Sequence, residues 1–397
     1  MQETRYDWLG DRWVLFAPNR EQRPNEYIRK AHESTYQASE SICKVTAPAS
    51  NLDTCPFCAG FEQSTPSPSL VLPLSDLEST TILRRDEVSQ KIERARAKWK
   101  VRVVPNKYPA VQAQAAATDH SQLATLARGS DAFSSFFPDH ASEDGTREES
   151  DLMIMAPELF RKDIPNGVHE VIIESPEHDH SLSALSVSHV ELVFQAYKMR
   201  LQHFRSKQEI VHSVIFKNYG PDAGASLSHA HSQLVGLGFV PSEVSRRNQK
   251  LAEFFNKHES CYYCQVAAEE ERLGDRLILS SAHFVVYTPF ASRFPYEFVI
   301  HPKTHRNHFD ELNRAELKDL ASVVKSTLGA IEKTQPQLSY NMILNTSPFN
   351  NSHPLAHHWN IQVLPRSARI AGFELGTDCF INTVKPEHAA ATLRSAI

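Results

Sequence analysis

The segment from Asn218 to Gln233 holds the residues of this 397-residue chain best suited to chemistry on a phosphate group. His229, His231 and Gln233 alternate, and residues i and i+2 of a strand share one face. A glycine-rich loop precedes them and lets backbone N–H groups approach an anion. A neutral imidazole with one nitrogen fixed by a backbone acceptor is a good nucleophile near pH 7. The pattern therefore predicts attack on phosphorus by His231, with the Gln233 amide stabilising developing charge.

The His-x-His-x-Gln pattern alone is more typical of two ordinary strand histidines. The preceding residues change that interpretation, because Asn218 and the Gly224-Ala225-Ser226 run add polar and backbone donors to the same segment. A metal ion bound by His229 would hold the neighbouring His231 rigid.

Metal binding is indicated by four of the six cysteines, which form two Cys-x-x-Cys pairs, and by 20 histidines. Without a secretion signal, this combination favours zinc over disulfides. Zinc prefers four N or S ligands in a tetrahedron, and a four-ligand site is structural rather than catalytic. The first predicted set is Cys55, Cys58, His178 and His229; the second is Cys261, Cys264, His305 and His358. The alternative is that the cysteines are plain buried thiols or a redox pair.

Several neighbouring histidines compete for these ligand positions. His180 and His308 are alternatives to His178 and His305, and His357 is an alternative to His358. His358 is preferred because it alone aligns with His229. Cys43 and Cys379 are expected to be ordinary thiols.

An internal duplication follows from the order and spacing of these elements. His178 and His229 are 51 residues apart, and His305 and His358 are 53 apart. Apolar periodicity predicts a helix in each interval, near 187–206 and 313–333. The repeat places Asn360 at the position of His231, so only the first half retains the nucleophile. We predict halves at 1–245 and 246–397.

Composition excludes several classes of protein. The net charge is −5 and no long Lys/Arg run occurs, which argues against a nucleic-acid binder. No apolar run reaches the ~18 residues of a membrane span, and residues 1–20 lack a signal pattern. We therefore expect a soluble cytoplasmic protein. Residues 112–150 are rich in Ala, Ser, Asp and Glu, which is typical of a mobile insertion, and they receive no role.

The motif Asn-x-Gly-x(3)-Gly-Ala-Ser-x-x-His-x-His-x-Gln resembles the active-site signature of the galactose-1-phosphate uridylyltransferase family, part of the histidine-triad superfamily. Further matching segments are Trp13–Arg20 with Arg23-Pro24, Cys55–Cys58, Val104–Pro109, His169–Pro176 and Gly372–Glu374. The expected fold is α+β, with two histidine-triad-like halves, each an antiparallel sheet with packed helices.

The resemblance implies a ping-pong nucleotidyltransferase. His231 would receive the nucleoside monophosphate of a nucleotide sugar, release a sugar 1-phosphate, and pass the group to a second phosphate acceptor, while Gln233 stabilises it. Structural zinc and a homodimer are implied as well. The implied substrate-binding residues are Arg20, Arg23 and Asn106 for the nucleotide, Asn218, Gly224 and Ser226 for phosphate, and Phe373 and Glu374 for the sugar across the dimer interface.

Departures from the family pattern leave the substrate open. His358-Trp359-Asn360 lacks the second histidine that helps to bind an extra metal in many galactose-pathway enzymes. Together with Cys261 and Cys264, it resembles a branch that transfers adenylyl groups from ADP-glucose to phosphate. The base and the sugar stay undecided. Rival hypotheses are a zinc-stabilised nucleotide-binding protein without turnover and a zinc hydrolase, which would need an open metal site.

Overall fold

The computed structural model describes residues 2–18, 55–73, 99–112, 166–178, 181–367 and 369–397. The strands are β1 Glu3–Asp7, β2 Arg12–Phe16, β3 Leu70–Pro73, β4 Trp99–Pro105, β5 Gly167–Ile173, β6 His212–Tyr219, β7 His231–Leu237, β8 Leu277–Ser280, β9 Phe284–Tyr287, β10 Phe298–Pro302, β11 Tyr340–Asn345, β12 Asn360–Pro365 and β13 Phe380–Asn382. The α-helices are α1 Val187–Arg205, α2 Ser242–His258, α3 Tyr262–Leu273, α4 Arg314–Thr334, α5 Gly372–Thr377 and α6 Pro386–Ala396. Arg20, Arg23, Cys43, His180 and residues 113–150 of the predicted insertion lie outside the described residues.

Ten strands form one antiparallel sheet in the order β3-β4-β5-β7-β6-β11-β12-β10-β9-β8. The order is symmetrical about its centre: each strand of the first half has its counterpart at the same distance on the other side. At the centre, β6 pairs with β11 from Ile215 opposite Leu344 to Tyr219 opposite Tyr340. The duplicated α+β architecture is confirmed. The two predicted sheets, however, are joined edge to edge into one.

One long helix covers each half of the sheet. Helix α1 begins after Ser186, whose side chain accepts from the His189 N–H, and α4 begins with a capping box between Asn313 and Glu316. Apolar side chains of both helices pack with those of the sheet in one large core, which includes Phe194. Both helices lie within one residue of their predicted ends, because their spacing by three and four marks the buried face.

A second, three-stranded sheet contains β1, β2 and β13. The sequence predicts a single strand over 6–16, but the chain turns at residues 8–11 and pairs back on itself. The turn is stabilised by Asp7, whose Oδ1 accepts from the Gly10 N–H at 2.9 Å, and Asp11 takes a positive φ of 54°. Residues 245 and 246, the predicted boundary, lie inside α2. No helix in the described part of the chain is long and apolar enough to cross a membrane.

Candidate active site and metal centres

His231 is the first residue of β7, and its side chain is buried. Its Nδ1 lies 2.8 Å from the carbonyl oxygen of His229. A carbonyl only accepts, so Nδ1 carries the proton and Nε2 keeps its lone pair. Burial lowers the pKa of His231, which favours the neutral ring. The side chain therefore has the tautomer that a nitrogen nucleophile needs.

Gln233 is oriented by His169, a residue that the sequence analysis did not select as a site residue. The Ala110 N–H donates to His169 Nδ1 at 3.2 Å, so Nε2 is the donor and gives its hydrogen to Gln233 Oε1 at 2.9 Å. Burial lowers the pKa of His169 and keeps it neutral. Asn106 Nδ2 also lies 3.1 Å from His169 Nε2. With its oxygen engaged, Gln233 is left to donate through its NH2 group.

The glycine loop lies between β6 and β7. Gly220 has a φ of 80°, and a Cβ there would lie 2.3 Å from Ser339 Oγ. Gly224 has a φ of 81° and ends a 3-10 turn over Pro221–Ala223. Both glycines are therefore needed for this backbone path, in which the N–H groups of Ala223, Gly224 and Ala225 donate to carbonyl oxygens of Gly220 and Pro221 within the loop. Ser226 is exposed in the same loop.

Asn218, at the start of this loop, is held by a chain of polar contacts. Asn341 Nδ2 donates to Asn218 Oδ1 at 2.8 Å, and Arg366 Nε donates to Asn341 Oδ1. The NH2 group of Asn218 is thus directed away from this contact. A cavity of about 500 Å³ opens here, lined by Asp222, Ala223, Gly224, Asn341, Arg366, Arg369 and Ile370. Its two arginines could bind an anion, and the sequence analysis missed both.

The first predicted ligand set comes together beside this site. The ligand atoms of Cys55, Cys58, His178 and His229 all lie within 4.8 Å of one another. Sγ of Cys58 lies 3.3 Å from Nδ1 of His178 and 3.5 Å from Nδ1 of His229. For zinc, tetrahedral bonds of typical length separate a sulfur and a nitrogen ligand by about 3.6 Å. The donor set and spacing therefore fit a tetrahedral metal ion.

The second set also comes together: Cys261, Cys264, His305 and His358 have ligand atoms within 4.8 Å. Sγ of Cys264 is 3.4 Å from Nδ1 of each histidine. The hydrogen bond between the two thiols lowers the pKa of Cys261 and raises that of Cys264, and a bound metal would have to displace the proton that the pair shares. The rival His357 lies outside this cluster, and its Nδ1 accepts from the His358 N–H at 2.9 Å.

Outer contacts orient one histidine of each cluster. Nε2 of His229 lies 2.8 Å from the carbonyl oxygen of Ser175, and Nε2 of His358 lies 3.2 Å from that of Thr304. Such contacts fix the tautomer that leaves Nδ1 for the metal. The same arrangement in both halves confirms the spacing on which the duplication was inferred.

A cavity of about 440 Å³ lies between the second half and residues 6–12, and its lining includes Asn360 and Gln362, the counterparts of His231 and Gln233. It is lined also by Tyr263 and Arg247 and does not reach His231. Since Asn360 cannot act as a nitrogen nucleophile, we place the candidate chemistry in the first half. Phe373 and Glu374 lie on the short helix α5, where Phe373 is 44% exposed; no described contact links them to His231.

Comparison with known proteins fits this architecture. A family model described as "Domain of unknown function (DUF4921)" matches residues 149–397. ADP-glucose phosphorylase of Arabidopsis thaliana is 30% identical over 394 residues, which is 99% of this chain and 92% of that protein. Galactose-1-phosphate uridylyltransferase of Thermotoga maritima is 30% identical over 244 residues, 59% of this chain and 76% of that protein.

This chain belongs to the galactose-1-phosphate uridylyltransferase-like family of nucleotidyltransferases. A crystal structure of the Arabidopsis ADP-glucose phosphorylase with bound ADP-glucose superposes with a TM-score of 0.70 at 28% identity and covers 99% of both chains. The family resemblance read from the Asn218–Gln233 motif is thereby confirmed. The members of this family named above share the nucleotidyltransferase activity that the motif implied.

Proposed function

We propose that this enzyme transfers a nucleoside monophosphate by a ping-pong mechanism through a covalent intermediate on His231. The observation that carries the proposal is the 2.8 Å contact between His231 Nδ1 and the His229 carbonyl, which leaves Nε2 as the nucleophile. The second half has an asparagine at the equivalent position, so it would serve as scaffold.

The first step forms a bond between Nε2 of His231 and the α-phosphorus of a nucleotide sugar. The bond from phosphorus to the bridging oxygen breaks, and its electron pair leaves with the sugar 1-phosphate. Gln233 donates to the transferred phosphoryl oxygens, and Asn218, Gly224 and Ser226 bind phosphate. In the second step an acceptor phosphate oxygen attacks the same phosphorus, and the N–P electron pair returns to His231.

For substrates, we favour ADP-glucose as donor and inorganic phosphate as acceptor. The similarity to ADP-glucose phosphorylase extends over 99% of this chain, whereas that to the Thermotoga uridylyltransferase extends over 59%. The second candidate is exchange of a uridylyl group between a nucleotide sugar and a sugar 1-phosphate. Arg20, Arg23 and Asn106 are proposed to contact the nucleotide in either case.

We further propose one zinc ion in each Cys2His2 cluster. Two thiolates and two imidazoles suit zinc, and four protein ligands leave no position for a reacting water. The metal would therefore be structural, and its contribution is to fix His229 and through it His231. A cytoplasmic homodimer in which Phe373 and Glu374 reach the sugar site of the other subunit is proposed from the family resemblance.

The test is intact-protein mass after separate incubation with ADP-glucose, UDP-glucose and UDP-galactose, for wild type and His231→Ala. We expect a nucleoside monophosphate adduct in wild type, and its mass identifies the base. Metal content and melting temperature show whether His231→Ala is folded. No adduct from any donor in folded wild type would favour a non-catalytic binding protein. An adduct that survives in His231→Ala would refute the assignment of the nucleophile.

A further inference from the structure

The backbone pairing beside His231 differs between the two halves of the sheet. Pairing of β6 with β7 ends at Phe216 opposite Gln233. The equivalent pairing of β11 with β12 continues to Asn345 opposite Asn360. Asn360 is the counterpart of His231. In the second half the two strands are therefore still paired at this position, whereas in the first half the pairing stops two residues away from it, at Gln233.

The carbonyl of His231 points into this separation. The Glu174 N–H donates to the carbonyl of Ala230 at 3.2 Å, so Ala230 and Ser232 direct their backbone polar groups toward β5. Because bonding alternates along an antiparallel strand, the carbonyl of His231 faces β6 instead. A side chain of β6 takes the place of the missing backbone donor: Nζ of Lys217 lies 3.2 Å from His231 O.

Lys217 is held in a fully buried polar network. Its Nζ lies 2.7 Å from Glu174 Oε2, and the two side chains are 1% and 0% exposed. The other carboxylate oxygen of Glu174 accepts from the hydroxyls of Ser232 and Tyr197, which are also buried. Each carboxylate oxygen thus has a partner, and the ammonium is fixed in one orientation toward the backbone of His231.

The second half is built without this network. By strand register and aligned helix N-caps, apolar residues replace all four members: Leu344 for Lys217, Pro302 for Glu174, Ile361 for Ser232 and Val324 for Tyr197. A buried ion pair is often no more stabilising than apolar residues of similar volume. The same fold therefore does not require the pair, and its presence only behind His231 needs another reason.

We propose that Lys217, oriented by Glu174, is a positioning residue that holds β6 and β7 apart at His231. This inference rests on the proposed function of His231. In the second half the closed strands let Asn345 Nδ2 donate to Asn360 Oδ1 at 3.0 Å. In the first half the separation keeps Asn218 away from His231, so that a phosphoryl group fits between the asparagine and the imidazole.

The test uses Lys217→Leu/Glu174→Gln, which copies Leu344, removes both charges and keeps an amide for Ser232 and Tyr197. The matched control is Arg200→Leu/Glu170→Gln. That pair is also buried, with side chains 8% and 3% exposed, and lies in the same half, with Nη2 2.7 Å from Oε1. Melting temperature, metal content, single-turnover adduct formation at saturating donor and a crystal structure are compared. If the first variant is insoluble, Lys217→Met/Glu174→Gln replaces it.

We expect the Lys217 variant to be as stable as the control and to hold the same metal. Its adduct formation should be about 10- to 100-fold slower than that of the control, because a misplaced reacting group costs rate at this scale. Its crystal structure should show Asn218 paired opposite His231. A rate within about threefold of the control, or strands that still separate after Phe216, would overturn the inference. If wild type forms no adduct, the proposed function fails. The positioning role of Lys217 is then decided only by whether β6 and β7 still separate after Phe216 in the crystal structure of the variant.

Discussion

Nδ1 of His231 lies 2.8 Å from the carbonyl oxygen of His229, a residue whose own Nδ1 lies within the first Cys2His2 cluster. The nucleophile proposed here is therefore oriented by the backbone of a proposed metal ligand. The second cluster has no such neighbour, because Asn360 follows His358 at the same spacing.

This difference predicts unequal effects of removing a metal ligand from the two clusters. Cys58→Ser should slow adduct formation by about 10- to 100-fold, since ligand changes disturb the residues that they orient. Cys264→Ser is the matched control, and it should lose one metal ion and some thermal stability but stay within about threefold of wild type in rate. Metal analysis and single-turnover mass measurements check both. Equal rate losses in the two variants would contradict this link.

His169→Ala should weaken catalysis without removing a residue that we expect to touch phosphate. Without the 2.9 Å bond to Oε1, the Gln233 amide can rotate, and its donation to the phosphoryl group is lost in part. We expect a rate about tenfold to 100-fold lower, which is less than the roughly 100- to 1000-fold loss typical when one such donor is removed entirely. The control is His203→Ala, a half-buried histidine of α1. If the affinity for the nucleotide sugar falls and the rate at a saturating concentration of it does not, His169 does not orient Gln233 for catalysis.

Asn360→His in the His231→Ala background tests whether a histidine alone makes a site. We expect no adduct, because Asn345 is paired opposite position 360 and Leu344 stands where Lys217 would be. The measurement is again intact-protein mass after incubation with ADP-glucose. Appearance of an adduct on the second half would mean that strand separation is not needed for transfer.

Buried histidines predict lower stability in mild acid. Burial, followed by the charge of Arg247, lowers the pKa of His212 to about 4. The unfolded chain binds a proton near pH 6.5 and the folded chain does not, so stability falls as pH drops from about 6.5 to about 4. The loss is about 3 kcal/mol in the free energy of unfolding for this one residue.

The comparison for this prediction is His212→Leu, which cannot titrate. Denaturant unfolding of both proteins at pH 7 and pH 5, with zinc in excess, gives the difference in free energy. The free energy of unfolding of the variant should increase relative to that of wild type when the pH is lowered from 7 to 5. Parallel pH profiles would show that His212 does not contribute.

The sequence predicted the parts of this molecule that are local along the chain. His229, His231 and Gln233 follow from a period of two, and both Cys2His2 clusters follow from similar spacings, 51 and 53 residues, in a repeat. Helices α1 and α4 follow from the spacing of their apolar residues. Each of these signals is read within one segment or by comparison of two similar ones.

The remaining parts depend on strand register, which no local pattern specifies here. His169 reaches Gln233 from 64 residues away because β5 lies beside β7. Arg366 reaches Asn218 through Asn341 only because β6 pairs with β11. His169 begins the segment His169–Pro176 that resembles the family, but no pattern along the chain indicates that its partner is Gln233.

The β6–β11 pairing makes each of the duplicated halves depend on the other for solubility. Either half expressed alone would present a long, unpaired central strand, a template for self-association. Separately produced fragments should be insoluble alone, whereas co-expression should recover a complex through the seam from Ile215 to Tyr219. A gene split between the two halves would then behave as a heterodimer, with His231 and Gln233 in one product, Phe373 and Glu374 in the other, and the solubility of each product dependent on its partner.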